Sequence, residues 1–273
     1  MKWVLLIVSG IFIVESGRGQ VFHSPAKSVY ITGGAYSGQF TDAFSFTGNP
    51  AVLGSAKNLR IAMSTERRWM LKELDFSRIA CSFYAGHGGI GLFFQHTGDA
   101  DYQETAMALA YGKDLGRIAL GIQFRYDQDR ALGYGNDGSG SAMLGMRIHP
   151  AEKIYAGLVF STWLFGNLGK RTGEKGPEQY TMGFGYEVSS FVFLSMQLEK
   201  EAGIPMNVQG SVNYRWSEQF YASLGIESNA ASPFARAGWK KNRLLVEIFA
   251  AYHVALGFTP GIALFWEGKN KAG

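Results

Sequence analysis

The sequence feature that most constrains the fold is an alternation of apolar and polar residues that recurs from residue 58 onward. In 206–216, MNVQGSVNYRW, alternate positions are apolar apart from one glycine, and the positions between them are Asn, Gln, Ser, Asn and Arg. A β-strand directs successive side chains to opposite faces, so this pattern predicts a strand with one apolar and one polar face. The same alternation appears in 117–127 and 219–227. A soluble β-sandwich also alternates, but its outer face usually carries many more Lys and Glu residues.

Composition narrows the fold class further. Of 273 residues, 47% are hydrophobic, 14% are aromatic and only 18% are charged, which excludes a disordered chain. The single cysteine excludes a disulfide scaffold and a cysteine-based metal cluster, and a net charge of +4 is too small to indicate nucleic-acid binding. A transmembrane β-barrel fits this composition, because only alternate residues of its strands need to be apolar.

The alternating segments predict an all-β fold, a transmembrane antiparallel β-barrel of about 14 strands, most of them long enough to cross a bilayer at a tilt. The predicted strands are 58–68, 77–86, 89–97, 102–112, 117–127, 140–148, 153–162, 179–187, 191–199, 205–215, 219–227, 233–239, 243–252 and 260–267. Short turns alternate with links that are mostly longer, among them 128–139 and 163–178. Short periplasmic turns and longer external loops are typical of outer-membrane barrels, and an even strand number places both chain ends on the periplasmic side.

The chain before the first strand divides into two parts. The apolar run 4–14 follows Lys2 and is too short to span a bilayer as a helix, and small residues precede a predicted cleavage site after Gly19. Residues 1–19 are therefore predicted to be a cleaved signal peptide of a Gram-negative outer-membrane protein. Residues 20–57 lack the alternation and are predicted to form a hatch in or under the lumen. The barrel is predicted to span 58–268 and a C-terminal tail 269–273.

Several short motifs resemble the FadL and PorV class of outer-membrane barrels. The motif Asn49, Pro50 and Ala51 is similar to one that those proteins carry before their first strand. The stretch GGAY at 33–36 resembles the N-terminal region of the same class, and ERRWML at 66–71 resembles short PorV-like proteins of Bacteroidota. The resemblance implies a fourteen-stranded barrel that either moves hydrophobic molecules or serves as a subunit of secretion machinery. This chain is much shorter than the FadL transporters and its predicted external loops are short, which favours the subunit role.

Ionisable residues on the polar strand faces are the candidate functional residues. By parity the inward-facing ones include Glu104, Arg125, Arg147, Glu187, Arg215, Glu227, Arg236 and Glu247. Both signs of charge are present, so we expect ion pairs and hydrogen bonds that brace the lumen, with a selective polar channel as the functional alternative. Many inward positions are Gly or Ala, which leaves room in the lumen, most simply for residues 20–57.

The sequence shows no motif for catalysis or for a bound metal. None of the five histidines is spaced with another His or with Cys81 as a pair of metal ligands, and we expect no cofactor. His149 is expected in a turn, Cys81 is expected to be a small core residue, and 136–140 is expected to be a polar external turn. A lipid-hydrolysing barrel is a third class of function, but its active-site geometry is not visible in the sequence.

We therefore expect a non-enzymatic outer-membrane barrel that acts as a subunit of a multi-protein envelope assembly, in protein secretion or barrel assembly. Its expected partners are outer-membrane lipid and other outer-membrane proteins or lipoproteins, and not nucleic acid. The alternative is a FadL-like channel for small hydrophobic compounds. The lumen distinguishes the two, because a plugged and ion-paired interior favours the subunit, whereas an apolar tunnel with a lateral opening favours the channel.

Overall fold

The computed structural model describes residue 28 and residues 33–133, 135–166, 178–229 and 231–268. Within these ranges the chain forms fourteen strands: β1 (Arg60–Arg67), β2 (Asp75–Tyr84), β3 (Gly89–Gly98), β4 (Tyr102–Asp114), β5 (Ile118–Ala131), β6 (Gly135–Ala151), β7 (Ile154–Gly166), β8 (Gln179–Glu187), β9 (Val192–Glu201), β10 (Asn207–Arg215), β11 (Phe220–Glu227), β12 (Ser232–Lys241), β13 (Leu244–His253) and β14 (Gly257–Glu267). Each strand is antiparallel to its neighbours, and β1 pairs with β14, so the sheet closes into a barrel. The prediction of a fourteen-stranded antiparallel barrel is confirmed.

The barrel closes where the first strand meets the last. Arg60 lies opposite Glu267, and its Nε donates to the Glu267 carboxylate at 3.0 Å. The side-chain amide of Asn58 donates to the same carboxylate at 3.2 Å. Closure leaves no strand edge with unpaired backbone groups, which is a requirement for a sheet that crosses lipid.

The two faces of the wall separate as the alternation predicts. Leu224 is 65% exposed on the outside, whereas the neighbouring Ser223 is 1% exposed and points inward. Aromatic residues collect near strand ends, and at the β10–β11 turn Trp216 stacks on Phe220 with ring centroids 5.8 Å apart. An apolar outer surface with aromatic ends is that of a barrel that spans a bilayer.

The predictions for the external connections are partly wrong. The predicted loop 128–139 is mostly strand, because β5 continues to Ala131 and β6 begins at Gly135. The predicted turn 136–140 lies in β6, where Asp137 is opposite Asp129 of β5. These strand ends carry polar residues on both faces, so the alternation no longer marks them as strand. Likewise β7 extends to Gly166, and residues 167–177 of the predicted loop 163–178 lie outside the described ranges.

Residues 33–56, here called the luminal segment, lie inside the barrel and not in its wall. They form three short helical turns, Gly33–Tyr36, Ser45–Gly48 and Pro50–Ser55. Asn49 has φ −154° and ψ 110°, the extended conformation that a following proline favours, and its Oδ1 accepts a hydrogen bond from the Ala51 N–H at 3.0 Å. Pro50 then begins the last helical turn, where a missing N–H costs nothing.

The remaining predictions concern the two chain ends and fall mostly outside the described residues. They are the signal peptide 1–19, residues 20–27 and 29–32 of the predicted hatch, and the C-terminal tail 269–273. Ser28 is described, and its hydroxyl donates to Glu66 near the loop end of β1 at 2.7 Å. Within the described ranges, no helix is both long enough and apolar enough to cross a membrane.

Candidate functional site

The wall of the lumen carries a glycine on each of five successive strands where the luminal segment passes. These five residues, here called the glycine belt, are Gly112, Gly121, Gly145, Gly157 and Gly183. A Cβ atom at Gly121 would lie 2.3 Å from the Pro50 carbonyl carbon, and one at Gly145 would lie 2.2 Å from Asn49 Oδ1. These separations are too short for any real side chain, so the glycines are what allows the luminal segment to lie directly against the wall.

The motif Asn49, Pro50 and Ala51 is the part of the luminal segment that touches the centre of the belt. All three residues are fully buried or nearly so. While Asn49 Oδ1 accepts from the Ala51 N–H, its Nδ2 donates to the backbone carbonyl of Met146 in β6 at 3.1 Å. One side chain therefore both starts the last helical turn and attaches that turn to the wall.

Tyr36 occupies the other end of the belt. A Cβ at Gly183 would lie 1.9 Å from Tyr36 Cζ, so the ring is packed flat into the space that the glycine leaves. The Tyr36 side chain is completely buried and its hydroxyl has no hydrogen-bond partner among the described residues. Burial raises the pKa of this phenol well above its usual value, because the ionised form would lose its hydration.

Two of the predicted luminal charges hold the luminal segment by its backbone. The Glu187 carboxylate accepts hydrogen bonds from the Ser37 hydroxyl at 2.5 Å, the Gly38 N–H at 2.7 Å and the Gln39 N–H at 2.9 Å. From β6, Arg147 donates to the Ser37 carbonyl at 3.1 Å and to the Ser55 hydroxyl at 3.0 Å. The two side chains therefore fix the same turn from two strands.

Beside this polar contact, the luminal segment and the wall share an apolar cluster. Phe44 packs edge-on against Phe265 of β14, with ring centroids 5.7 Å apart. The buried members of the cluster are Ala43, Phe44, Phe46, Val52, Leu53, Ala62, Ala80, Phe93, Ala108, Ala110, Phe249, Ala263 and Phe265. A water-filled porin lumen is polar, so an apolar cluster of this extent inside the wall is a specific feature of this barrel.

Sequence reasoning missed Arg78, which lies within this contact. Its Nε donates to the Ser64 hydroxyl at 2.8 Å, and its guanidinium lies 4.0 Å from the centroid of the Phe44 ring. A cation over an aromatic face is attracted by the ring quadrupole. The signal was present in the sequence, because the parity of β2 places Arg78 on the same inward face as Phe76 and Ala80.

Three predicted luminal charges lie toward the loop end of the barrel, away from the luminal segment. Arg125 pairs with Asp127 on its own strand at 2.8 Å. Glu104 accepts a hydrogen bond from the Tyr102 hydroxyl at 2.8 Å. Glu227 accepts from the amides of Asn207 and Gln209 at 2.6 and 3.2 Å. These contacts join neighbouring residues of the wall and do not gather into one site.

The other predicted charges lie toward the turn end of the barrel. Arg236 donates to Asn213 Oδ1 at 3.0 Å and to the Ser223 hydroxyl at 3.3 Å. Arg215 lies over the ring of Phe40 in the luminal segment, with its guanidinium carbon 4.6 Å from the ring centroid. Both arginines border an open cavity, so this end of the lumen is not completely filled.

Glu247 is the predicted luminal charge with the least favourable surroundings. Its side chain is completely buried, and neither carboxylate oxygen has a hydrogen-bond partner among the described residues. Asp42 of the luminal segment and Arg78 of β2 are the charged groups that act on it. A buried carboxyl without a hydrogen bond costs free energy, so this position lowers the stability of the folded barrel.

The described residues contain no group of three or more His, Cys, Asp and Glu side chains that could hold a metal. His149 lies in β6 and not in a turn, because β6 extends to Ala151, and its ring stacks on Tyr155 at 4.3 Å. Cys81 is partly buried in β2 as a free thiol.

No protein-family model matches this chain, and no curated protein matches it. Solved structures of similar fold include the toluene transporter TbuX of Ralstonia pickettii, with 8% identity, a TM-score of 0.55 and coverage of 84% of this chain and 94% of that one. The toluene transporter TodX of P. putida has 7% identity, a TM-score of 0.53 and coverage of 85% and 95%. The outer membrane protein Omp33 of Acinetobacter baumannii has 4% identity, a TM-score of 0.54 and coverage of 79% and 100%.

These likenesses establish the class of fold, a closed β-barrel of the outer-membrane type that spans nearly the whole length of the solved neighbours. They contain nothing that identifies PorV-like proteins of Bacteroidota, so that part of the resemblance stays a prediction.

Proposed function

We propose that this chain is an outer-membrane channel for small hydrophobic compounds, closed at rest by the luminal segment. The observation that carries the proposal is the apolar cluster between the segment and the wall, from Phe44 and Phe46 to Phe249 and Phe265. An apolar solute gains free energy by leaving water for such surroundings, whereas a hydrated polar solute loses its hydration there.

The position of the luminal segment inside the barrel argues against an open diffusion pore. The luminal segment contacts strands β2 to β9, and its hydrogen bonds to Glu187 and Arg147 hold it in place. A porin that passes polar solutes needs a continuous water-filled path. Passage through this barrel would instead follow the contact between segment and wall, with a local displacement of the segment.

The fold neighbours agree with this proposal. TbuX and TodX are toluene transporters, and their barrels match most of this chain. The same fold and the apolar outer surface support a location in the outer membrane. The even number of strands puts both ends of the barrel domain on one side of the membrane, which in this proposal is the periplasmic side. No catalytic or cofactor role enters the proposal.

The subunit hypothesis, favoured by the sequence, is less well supported. It depended on short external loops and on an ion-paired interior. In the structure Glu187 and Arg147 bond to the backbone of the luminal segment, and the interior holds a large apolar cluster. The comparisons give the subunit role no support, whereas they agree with the channel alternative.

Uptake by intact cells tests the proposal. The full chain, expressed in a Gram-negative host that lacks such a channel, should raise the initial rate of uptake of radiolabelled toluene several-fold over cells with an empty vector. Uptake of labelled maltose, a polar solute of larger size, should not change. Equal stimulation of both solutes would indicate an open pore, and stimulation of neither would refute the channel. If uptake of neither solute rises, a stoichiometric partner recovered from native membranes would support the subunit hypothesis.

A further inference from the structure

A cavity of about 840 Å³ lies at the turn end of the barrel, beside the luminal segment. Residues 39–43 of the segment form one side, and the turn ends of β1 and of β9 to β14 form the rest. We call this cavity the turn-side vestibule. Its volume falls in the range of pockets that hold small molecules, which is roughly 300–1,000 Å³.

The vestibule has an excess of positive charge. The cationic residues that line it are Arg60, Arg215, Arg236, Lys240, Lys241 and Arg243, against the acidic residues Asp42, Glu218 and Glu267. Arg60 and Glu267 neutralise each other as an ion pair. Asp42 accepts hydrogen bonds from the Phe44 N–H and the Ser45 hydroxyl, so part of its capacity is used within the segment.

Four of these cations have no carboxylate within ion-pair distance among the described residues, namely Arg215, Lys240, Lys241 and Arg243. Lys240, Lys241 and Arg243 lie at the β12–β13 turn, where water can solvate them. Arg215 is less accessible to water than these three residues, because it is partly buried at the wall and its guanidinium lies over the face of the Phe40 ring.

The vestibule also has an aromatic side. Phe40 stacks on Phe193 of β9 with ring centroids 5.2 Å apart and an interplanar angle of 18°. Tyr221, Leu245 and Phe265 add further apolar surface. The Arg215 guanidinium lies above the outer ring of this stack. Phe193 and Arg215 cover the two faces of Phe40, and Phe193 is completely buried, so the apolar surface open to a ligand is that of the partly exposed Tyr221 and Leu245. Tyr221 lies opposite Arg215 in the β10–β11 register. An apolar surface therefore lies next to a guanidinium that has no carboxylate partner among the described residues, which is the pairing that an organic anion requires.

We propose that the turn-side vestibule binds a small organic anion with an aromatic body. The anionic group contacts Arg215 and the basic β12–β13 turn, and the ring packs against Tyr221, which lies opposite Arg215 in the β10–β11 register. Two donors of a guanidinium match the two oxygens of a carboxylate, so Arg215 gives orientation as well as charge. This site goes beyond the proposed function, because it does not require that the ligand cross the membrane.

Two probes of the same shape separate this proposal from plain hydrophobic binding. The anion 2-naphthoate and the neutral 2-naphthalenemethanol are measured by equilibrium dialysis against the full chain, purified in a neutral detergent, with empty micelles as the blank. Naphthoate should bind with saturation and should weaken as salt is raised, because salt screens charges near the surface. The alcohol should partition as it does into empty micelles.

Variants then locate the site. Arg215→Gln should weaken naphthoate binding about tenfold, and Arg215→Lys, which keeps the charge, should weaken it less. Arg243 lines the vestibule from the β12–β13 turn, so Arg243→Gln should weaken binding several-fold without disturbing the segment. Lys200→Gln is the matched control, because Lys200 is exposed and donates to the Ile204 carbonyl, outside the vestibule.

The proposal is overturned if the two probes bind equally, or if Arg215→Gln and Arg243→Gln both bind naphthoate as the unsubstituted chain does. A heat-modifiable band on mild detergent gels shows that each variant is folded, so lost binding is not lost structure. Neither result depends on toluene uptake. The chain can bind naphthoate without transporting toluene, and it can transport toluene without binding naphthoate.

Discussion

The Ser37 hydroxyl donates a 2.5 Å hydrogen bond to the Glu187 carboxylate, which lies 150 positions later in the chain. The same carboxylate oxygen also accepts the N–H groups of Gly38 and Gln39. A carboxylate that accepts several backbone N–H groups makes strong, charge-assisted hydrogen bonds. This contact is therefore a strong polar attachment of the luminal segment to the barrel wall.

Replacing Glu187 with Ala should release this turn of the segment. Hydrogen bonds to a charged acceptor contribute about 1.5–3 kcal/mol to stability. Their loss should therefore raise the population of barrels with a displaced luminal segment at least tenfold. Purified Glu187→Ala should show frequent ion-conducting events in planar bilayers, whereas the unsubstituted chain should stay nearly silent. Glu187→Gln keeps an acceptor oxygen and should lie between the two.

Glu178→Ala is the control, because Glu178 is exposed just before β8 and contacts the Tyr180 hydroxyl on the outside of the barrel. Its conductance should match that of the unsubstituted chain. If Glu187→Ala is as silent as this control, the hydrogen bonds to Ser37 do not hold the segment.

The sequence predicts the wall of this barrel better than its contents. Strand positions and faces follow from a local rule, because lipid requires an apolar residue at every second position and the lumen does not. Leu224 and Ser223 are adjacent in the chain, and their opposite exposures could be read from parity alone. The rule fails beyond the apolar band, where β5 and β6 continue through polar residues such as Asp129 and Asp137.

The candidate site could be predicted only in part. The inward positions of Glu187, Arg147 and Gly183 follow from parity, but their partners do not. Ser37 meets Glu187 only after fourteen strands have closed into a ring, and residues 33–56 have no periodicity that shows their path. Glu247 was predicted to join a bonded network, and its lack of a hydrogen bond depends on packing that the sequence does not encode locally.

Gly183→Ala should displace Tyr36. A Cβ at this position would overlap the Tyr36 ring, and overpacking of this kind costs about 1–3 kcal/mol. The folded barrel should then expose the segment to chymotrypsin, with new cleavage at Tyr36 or Phe40 detected by mass spectrometry. Gly210→Ala is the matched control, because no atom lies within 4 Å of the Cβ it would add.

Combining Gly183→Ala with Tyr36→Leu tests whether the two residues act through each other. Cleavage is compared at Phe40 alone, because Tyr36→Leu removes one of the chymotrypsin sites. The smaller side chain makes room for the new methyl, so the double variant should be cleaved at Phe40 less than the sum of the single effects predicts. Strict additivity would mean that the alanine acts through some other contact.

Leu224→Arg should hinder insertion into the outer membrane. Leu224 is 65% exposed on the lipid face, and an arginine at mid-bilayer costs about 2–4 kcal/mol. The control is Gln209→Arg, because Gln209 faces the lumen and its side-chain amide lies 3.2 Å from the Glu227 carboxylate. An arginine at this position can pair with that carboxylate. The folded fraction in the membrane is measured from heat-modifiable bands. Equal losses in both variants would show that the two faces are assigned wrongly.

Glu247→Met should stabilise the barrel. Methionine is similar in length and apolar, so the change removes a carboxyl group that lies completely buried without a hydrogen-bond partner among the described residues, for a gain of about 1 kcal/mol or more. The temperature at which the folded gel band disappears should rise. Glu267→Gln should lower it, because the Glu267 carboxylate is paired with Arg60 at 3.0 Å. A fall in both variants would mean that Glu247 has a stabilising partner.

A disulfide between the luminal segment and β9 tests whether the segment must move for transport. A Cβ at Gly33 would lie 3.4 Å from the Cβ of Ser195, close to the separation of about 3.5–4.5 Å that a disulfide requires. The Gly33→Cys and Ser195→Cys pair is made in a Cys81→Ser background, because Cys81 is the only other thiol in the chain.

Under oxidising conditions the cross-link ties the start of the luminal segment to the wall, so toluene uptake should fall to the level of cells without the channel. Dithiothreitol should restore uptake, because reduction frees the segment without changing the sequence. Each single-cysteine variant should transport toluene equally in both conditions, which separates the cross-link from the substitutions. Undiminished uptake by the fully oxidised pair would mean that hydrophobic solutes pass without displacement of residues near Gly33. The route would then have to lie farther along the segment, between Phe44 and Phe265, where the apolar cluster meets the wall.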